Sequence, residues 1–391
     1  MRAVSRVCEV FVGAHDQVGI PSASGVRWWL LRLGFFALHE PLDVADDWAF
    51  LIDHSVQIGT LKLCLILGVR LSAWRDSAGP LRHEDVRPLA LIPVEQSNAQ
   101  IVCEQLEQAA LRTGIPREIV SDQGGDVKSG GELFAARHPQ TALLHDAAHH
   151  GARVLKKRFE ADPRWTEFLA KLSHTKSHIQ QTPDAFLMSP SLRPKARYMN
   201  LASLLKWCRK MLCLLDRGAD GGAVTARARA RYGWLIQFRR AIGEWSRWEA
   251  TVRHSVEFLR THGLSRDCEH DLAERLQKRP SAERHQQLEA ELAAFAKHQS
   301  RSAQPGERLI GSTEVEESVF GKWKHLERQE SSSGITSLAL SLGALLGHWT
   351  EARVQTALEQ TPVKKVLSWI KQHLPPSIQS QRRHAFAAAN P

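Results

Sequence analysis

Cysteine is too sparse and too scattered to build a metal or disulfide framework. There are six, none in a CxxC pair, and the closest two, Cys208 and Cys213, have a spacing that suits no zinc-ligand pattern. Long apolar runs are missing as well. The longest nearly charge-free stretches, around residues 61–69 and 338–349, fall short of the roughly 20 residues that cross a bilayer. Residues 1–16 carry two Arg and a Glu and no continuous apolar stretch, so they do not read as a secretory leader. No internal repeat is visible, which argues against a solenoid or propeller. These absences lead to the expectation of an intracellular, reduced protein with no membrane partner. Hydrophobic residues at 43% and charged residues at 24% exclude a disordered chain, and 391 residues suit two to three domains.

What is present is positive charge concentrated in one place. The net charge of +10 is uneven: residues 152–308 hold 30 Lys and Arg against 17 Asp and Glu, the rest of the chain 22 against 25. Residues 152–240 alone hold 19 basic and 6 acidic side chains, whereas 241–308 balance at 11 each. A localised basic block points to a polyanion partner, nucleic acid first. A solvated helical face is the bland alternative.

Residues 43–157 read as α/β. Trp48-Ala-Phe-Leu-Ile-Asp53 and residues 61–70 are apolar runs that suggest a hairpin. Pro88-Leu-Ala-Leu-Ile-Pro-Val94 is a third strand whose prolines predict an edge position. Ser97-Asn-Ala-Gln100 has capping-box form, and Ile101, Leu106, Ala109 and Ala110 continue it as a helix to Gly114. Glu118-Ile-Val-Ser-Asp122 and Thr141-Ala-Leu-Leu-His145 follow as strands, then a helix over 152–159. The order β-β-β-α-β-β-α matches an RNase H-like mixed sheet with flanking helices, in which strands one and four lie side by side.

From about residue 158 the character becomes all-helical, with 3.6-residue periods over 201–215, 231–259 and 282–298. A polar linker over 300–306 precedes a second capping box, Thr313-Glu-Val-Glu316, which opens a helix over 314–328 with Val315, Val319 and Trp323 on its apolar stripe. A further apolar helix is expected over 335–349 and a frayed tail after Pro375.

Three acids stand where such elements would present them: Asp53 and Asp122 at strand ends, the latter before two glycines, and Glu317 in the first turns of a helix. Converging carboxylates need counter-charge, and hard divalent cations with oxygen ligands supply it. Taken singly, each acid also reads as an ordinary strand-end, turn or helix-capping residue. Glu316 and Glu314 could replace Glu317, and Asp126 and Asp146 compete with Asp122. Lys324 follows Glu317 by seven residues, two helical turns, so the two share a face.

Ile52-Asp-His-Ser-Val-Gln-Ile-Gly59, Val120-Ser-Asp-Gln-Gly-Gly-Asp-Val-Lys128 and Glu317-Ser-Val-Phe-Gly-Lys-Trp-Lys324 resemble the three acid motifs of bacterial insertion-sequence DDE transposases. Where some of those families carry a Tyr and an Arg before the third acid, this sequence has Ile310 and Thr313. The resemblance implies an RNase H-like core in two parts, 43–157 and 309–375, interrupted by a large all-α insertion domain, 158–308, and followed by a flexible tail, 376–391. It implies Asp53, Asp122 and Glu317 as catalytic ligands of two Mg²⁺ ions, with Mn²⁺ able to substitute. Double-stranded DNA, as transposon ends and target, is the implied partner, in a homodimer or larger assembly of a cytoplasmic, nucleoid-associated bacterial protein. The phosphate-binding candidates are Lys324, Lys322, Arg193, Lys195, Arg197, Arg227, Arg229 and Arg231, and His145 and Asp146 are candidates beside the catalytic pocket. A catalytically incomplete DNA-binding remnant, or another RNase H-like nuclease such as a junction resolvase, remains open.

Residues 21–34 resemble the end of a helix-turn-helix region, so 1–42 reads as a residual N-terminal helical segment; the expectation is either a chain that starts late or one in which recognition of the transposon ends rests on the insertion. His145, His149 and His150, and His174 with His178, form local histidine clusters that 19 His residues make common by chance. Trp234, Phe238, Trp245 and Trp248 lie at helical spacing as a core stripe, or as a platform for a flipped-out base.

Overall fold

The computed structural model describes residue 4 and residues 20–54, 62–76, 79–122, 124–192, 198, 201–217, 222–277, 283–328, 337–374, 376 and 378–387. The chain divides into two compact units, one formed by residues 1–146 and 308–391, the other by residues 147–307. The break at Asp146 gives the helix that follows to the second unit, about ten residues earlier than the sequence pattern suggests.

The first unit is built on a five-stranded sheet. Its strands are β1 (Trp48–His54), β2 (Lys62–Arg70), β3 (Arg87–Val94), β4 (Glu118–Ser121) and β5 (Ala142–His145), in the order β3-β2-β1-β4-β5. β1, β2 and β3 pair antiparallel, while β4 and β5 add in parallel on the other side of β1. That is the RNase H-like arrangement. β2 is buried from Leu63 to Val69, which explains its continuous apolar run: a strand covered on both faces has no reason to alternate. Pro88 and Pro93 sit on the edge strand β3, where a missing N–H costs no internal ladder bond.

On one face lie α3 (Ala99–Thr113) and α4 (Gly125–Arg137), which pack Val102, Leu106, Val127 and Phe134 over Phe50, Ile52, Cys64, Ile66 and Ile119. A short α2 (Leu71–Asp76) follows β2. Asn98, not Ser97, caps α3, its side chain accepting from the Ile101 N–H. Helix α4 corrects the sequence reading, which runs directly from the fourth strand to the fifth. β4 and β5 are parallel, and parallel neighbours need a crossover, usually helical. Gly125, Gly130 and Gly131 hide that helix because glycine is a poor helix former. At Gly130 the reason is packing, since a Cβ there would stand 2.4 Å from Val102 Cβ.

The first unit also holds α1 (Ala23–His39), so residues 23–34 lie within one uninterrupted helix. Its Gly34 backs directly onto the chain at Leu340, where a Cβ at Gly34 would meet the carbonyl oxygen. After α12 (Glu314–Arg328) come α13 (Ser341–Ala344), preceded by a 3-10 turn over Ser337–Leu340, then α14 (Glu351–Gln360), α15 (Val363–His373) and α16 (Ile378–Ala387). The expected helix over 335–349 is therefore reduced, among the described residues, to a few short turns. Its apolar residues Leu338, Leu340, Leu342 and Leu346 are fully buried. The tail read as frayed forms α16, whose Gln, Arg and Ala content favours helix.

The second unit is all-helical: α5 (Ala147–Glu160), α6 (Pro163–Ile179), α7 (Leu201–Asp216), α8 (Gly222–Tyr232), α9 (Arg239–His262), α10 (Cys268–Gln277) and α11 (Glu283–Ser300). A 3-10 stretch over Gly233–Phe238 splits the long helix expected from residue 231 onward. Trp245, Trp248, Phe238 and Trp234 belong to the core, Trp245 packing edge-on to Trp165 at 5.0 Å, so the stacking-platform reading fails. Asp162 caps α6 by accepting from the Arg164 N–H, and its Oδ2 also accepts from Trp245 Nε1 at 2.9 Å and Arg164 Nη2 at 2.7 Å. Among the described residues no helix is long and apolar enough to cross a membrane.

Two outcomes follow from this packing. Gly34→Ala drives a methyl group into the Leu340 carbonyl and destabilises by about 3 kcal/mol, which lowers the melting temperature by roughly 5 °C or more. An unchanged melt would mean that α1 does not press on this backbone. Burial raises the Asp162 carboxyl, but hydrogen bonds from Arg164 and Trp245 outweigh it and leave the group below its ordinary value of 3.8. Its stabilisation is complete above that value and disappears as pH falls through the lower, folded one. Asp162→Asn costs about 2 kcal/mol at neutral pH, and the gap to wild type closes in acid. Denaturant titrations at neutral and acid pH measure both points.

Candidate active site

The parallel strands bring three aspartates to one level. Ile52 pairs with Ser121, and Ser121 with His145. The next residue on each chain segment is Asp53, Asp122 and Asp146. Adjacent strands lie about 4.8 Å apart, so the row spans two strand spacings at the carboxyl ends of β1, β4 and β5. This edge is where β1 meets an antiparallel neighbour on one side and a parallel one on the other, the kind of switch point at which α/β sheets place ligands. Ile52 packs under α3 and α4, so alternation turns Asp53 toward the opposite face, with Asp122 and Asp146 beside it.

The three are held differently. Asp53 is half-buried. Asp122 Oδ1 accepts from the Gly124 N–H at 2.9 Å, and a Cβ at Gly124 would stand 2.9 Å from that oxygen, so this turn needs glycine. Asp146 is 2% exposed and its Oδ1 accepts from the Thr313 N–H at 3.0 Å. Fully buried Glu118, at the start of β4, accepts from the Ile310 N–H at 2.9 Å. Two buried carboxylates thus seat residues 310–313 on the sheet, and α12 begins there.

Glu316, not Glu317, points from α12 into the interior. It is 0% exposed and both of its carboxylate oxygens are buried without a hydrogen-bond partner among the described residues. Burial first, then the charges of Asp53, Asp146, Asp122 and Glu317, hold its carboxyl well above the usual range. At 100° per residue, Glu316 lies within about 30° of the centre of the arc formed by Val315, Val319, Phe320 and Trp323, all of them buried. Glu317 lies over the edge of that arc and is half-buried. The signal was present in the sequence: an acid in the middle of an apolar stripe is the informative exception.

The remaining candidates are dispersed. His145 is half-buried at the end of β5. Asp126, in the first turn of α4, faces His54 (3.6 Å) and Lys62 (3.8 Å). Burial would raise its carboxyl, but Ser97, His54 and Lys62 outweigh that and keep it low. His54 Nε2 meets Ser97 Oγ at 3.3 Å, so this network braces the tip of β1. Lys324 is half-buried with its Nζ 5.9 Å from the Phe320 ring, while exposed Lys322 places Nζ 2.8 Å from His83 Nδ1. In the second unit Arg231 bonds Asp184 at 2.7 Å, Arg227 lies 3.9 Å from the same carboxylate, and Arg229 donates to the Leu215 carbonyl. Arg193, Lys195 and Arg197 lie outside the described residues, as do residues 55–61 and Gln123 of the acid motifs.

Among the described residues no three His, Cys, Asp or Glu side chains already close on one point. The donors are nevertheless all oxygen, and an orphaned buried carboxylate faces them. An open set of that kind suits Mg²⁺, which takes one or two carboxylates and fills its octahedron with water and substrate phosphate, better than it suits a closed protein cage.

No protein-family model matches the sequence, and no curated protein matches it. Among solved structures, the Drosophila P element transposase strand transfer complex aligns at 13% identity over 88% of this chain and 89% of that one, with a TM-score of 0.42.

A carboxyl raised in the folded state binds its proton more tightly there than in the unfolded chain. Metal-free protein therefore loses stability as pH rises from the ordinary glutamate value of 4.5 toward the higher folded one. Glu316→Gln removes that slope and raises the melting temperature at neutral pH, since a neutral amide replaces a charge that burial penalises. Parallel melting curves for the two proteins across that range would show that Glu316 is not confined as described.

Proposed function

We propose that the protein is a metal-dependent DNA strand-cleaving and strand-transferring enzyme of the DDE transposase type. The observation that carries this reading is the partnerless Glu316 carboxylate opposite Asp53, Asp122 and Asp146 at the carboxyl edge of an RNase H-like sheet. Asp53 and Asp122 hold divalent cations, and a carboxylate from α12 completes the set. Motif resemblance gives that position to Glu317; burial and orientation favour Glu316. Mg²⁺, with Mn²⁺ as substitute, supplies activation of a water or 3′-hydroxyl and stabilisation of the leaving oxygen. Asp146 and Glu118 fix the start of α12 and so set where its carboxylate stands. Lys324, on the flank of the same helix, is placed to hold a phosphate of double-stranded DNA as a point charge. The active assembly is a homodimer or larger.

Purified protein incubated with Mg²⁺ or Mn²⁺ and end-labelled duplexes carrying the flanking inverted repeats tests this. Asp53→Asn, Asp122→Asn and Glu316→Gln each lower nicking by about a hundredfold or more, the scale on which one catalytic electrostatic group is felt, while duplex binding persists. If Glu317→Gln abolishes nicking and Glu316→Gln does not, the third ligand reverts to Glu317. Binding without nicking under every metal condition would identify a non-catalytic remnant. Cleavage restricted to branched DNA, with no strand-transfer product, would identify a resolvase.

A further inference from the structure

Among the described residues, the arginines that the sequence singles out in the helical unit, Arg227, Arg229 and Arg231, are already occupied. Arg231 and Arg227 share Asp184, which is 9% exposed, and Arg229 donates to a backbone carbonyl. A different surface of that unit carries uncommitted charge. Along α7, Lys206, Arg209, Lys210 and Arg217 line one shallow depression together with Cys213 and Leu214, and the four cations and Cys213 are exposed.

Helical geometry explains the alignment. At 100° per residue, Lys206, Arg209, Lys210, Cys213 and Arg217 fall within about 60° of one line down the helix. Leu201, Leu204, Leu205, Cys208, Met211, Leu212 and Leu215 occupy the opposite side and are buried. The sequence of α7 thus separates into an apolar face committed to the core and a cationic face committed to nothing visible. Lys206, Lys210 and Arg217 form no ion pair with any described residue, and Arg209 is within electrostatic reach of Glu249. The acid that could neutralise the stripe, Asp216, is taken by Arg239 through two bonds of 2.5 and 2.9 Å.

We infer that this stripe binds the phosphate backbone of double-stranded DNA. From residue 206 to 217 it runs about 16 Å at 1.5 Å per residue, which matches roughly five base pairs of rise along one strand. Four like charges held in a row repel one another, so their alignment is favourable where a polyanion lies along them. A lipid surface is the weaker occupant, because the apolar side that an interfacial helix would bury is already in the protein core. Nothing in the stripe reads bases: its cations would contact phosphates, which position a duplex without specifying sequence. This inference rests on the polyanion reading of the basic unit and not on the acid row, so the two can fail separately.

Cys213 provides the probe. It is exposed, whereas Cys64, Cys103, Cys208 and Cys268 are buried. In the full-length protein carrying Cys8→Ser, with chelator present so that no cleavage can occur, maleimide reacts with Cys213, and a short duplex of arbitrary sequence slows that reaction at low salt. The triple variant Lys206→Gln/Lys210→Gln/Arg217→Gln binds the duplex about tenfold or more weakly, and its log–log salt slope is lower by about two to three. Its thermal melt is unchanged, because the three side chains are exposed. Asp122→Asn leaves both slope and protection as in wild type, whether or not it abolishes nicking. An unchanged Cys213 reaction rate under saturating duplex, or an unchanged salt slope in the folded triple variant, overturns the inference. So does protection by phosphatidylserine vesicles with none by DNA, which would transfer the stripe to a membrane.

Discussion

Placing Glu316 in the centre of the buried arc of α12 costs far more than placing a leucine there, because an ionised carboxylate loses its hydration and finds no donor in return. The charges of Asp53, Asp146, Asp122 and Glu317 raise the cost further. Stable folds tolerate such an arrangement where something else supplies positive charge. The cost falls at the sheet edge where Asp53, Asp122 and Asp146 lie at or just past the carboxyl ends of β1, β4 and β5.

Around that point the surrounding polar groups divide the labour. Asp146 and Glu118 are as deeply buried as Glu316, yet each accepts a backbone N–H from the segment leading into α12. One oxygen of each carboxyl is met by a backbone N–H of the segment that leads into α12. The contrast separates two carboxyls that accept backbone N–H groups from one that, among the described residues, accepts none. On the far side of β1, Asp126 is met by His54 and Lys62.

Much of the sheet was legible in the sequence because its signals are local. β1 through β5 lie close to the apolar runs that suggested them, and the edge prolines of β3 and the cap at Asn98 act where turn and capping chemistry put them. The helix between β4 and β5 was not legible, because its glycines answer to Val102 and Leu143, residues far away in sequence. The apolar run after residue 337 failed for a related reason. Burial on all sides removes the periodicity that distinguishes a helix from a packed turn. Asp53 and Asp122 were expected near strand ends, and that is where the structure has them. The choice between Glu316 and Glu317 depends on which way a helix is rotated, and motif spacing is blind to a shift of one residue. Likewise, counting charge located the basic unit, but only side-chain pairing shows that Arg227, Arg229 and Arg231 are engaged while Lys206, Lys210 and Arg217 form no ion pair with any described residue.

The seat for α12 has a temporal side. Asp146 and Glu118 are made early in the chain, and the amides they accept belong to residues 313 and 310, more than 160 positions later. At a synthesis rate of about 5–20 residues per second, the aspartate row exists on the nascent sheet for some ten to thirty seconds before α12 emerges. During that interval its buried acceptors are uncapped and the fourth carboxylate is not yet made. Order of manufacture alone thus delays assembly of this constellation until α12 has left the ribosome.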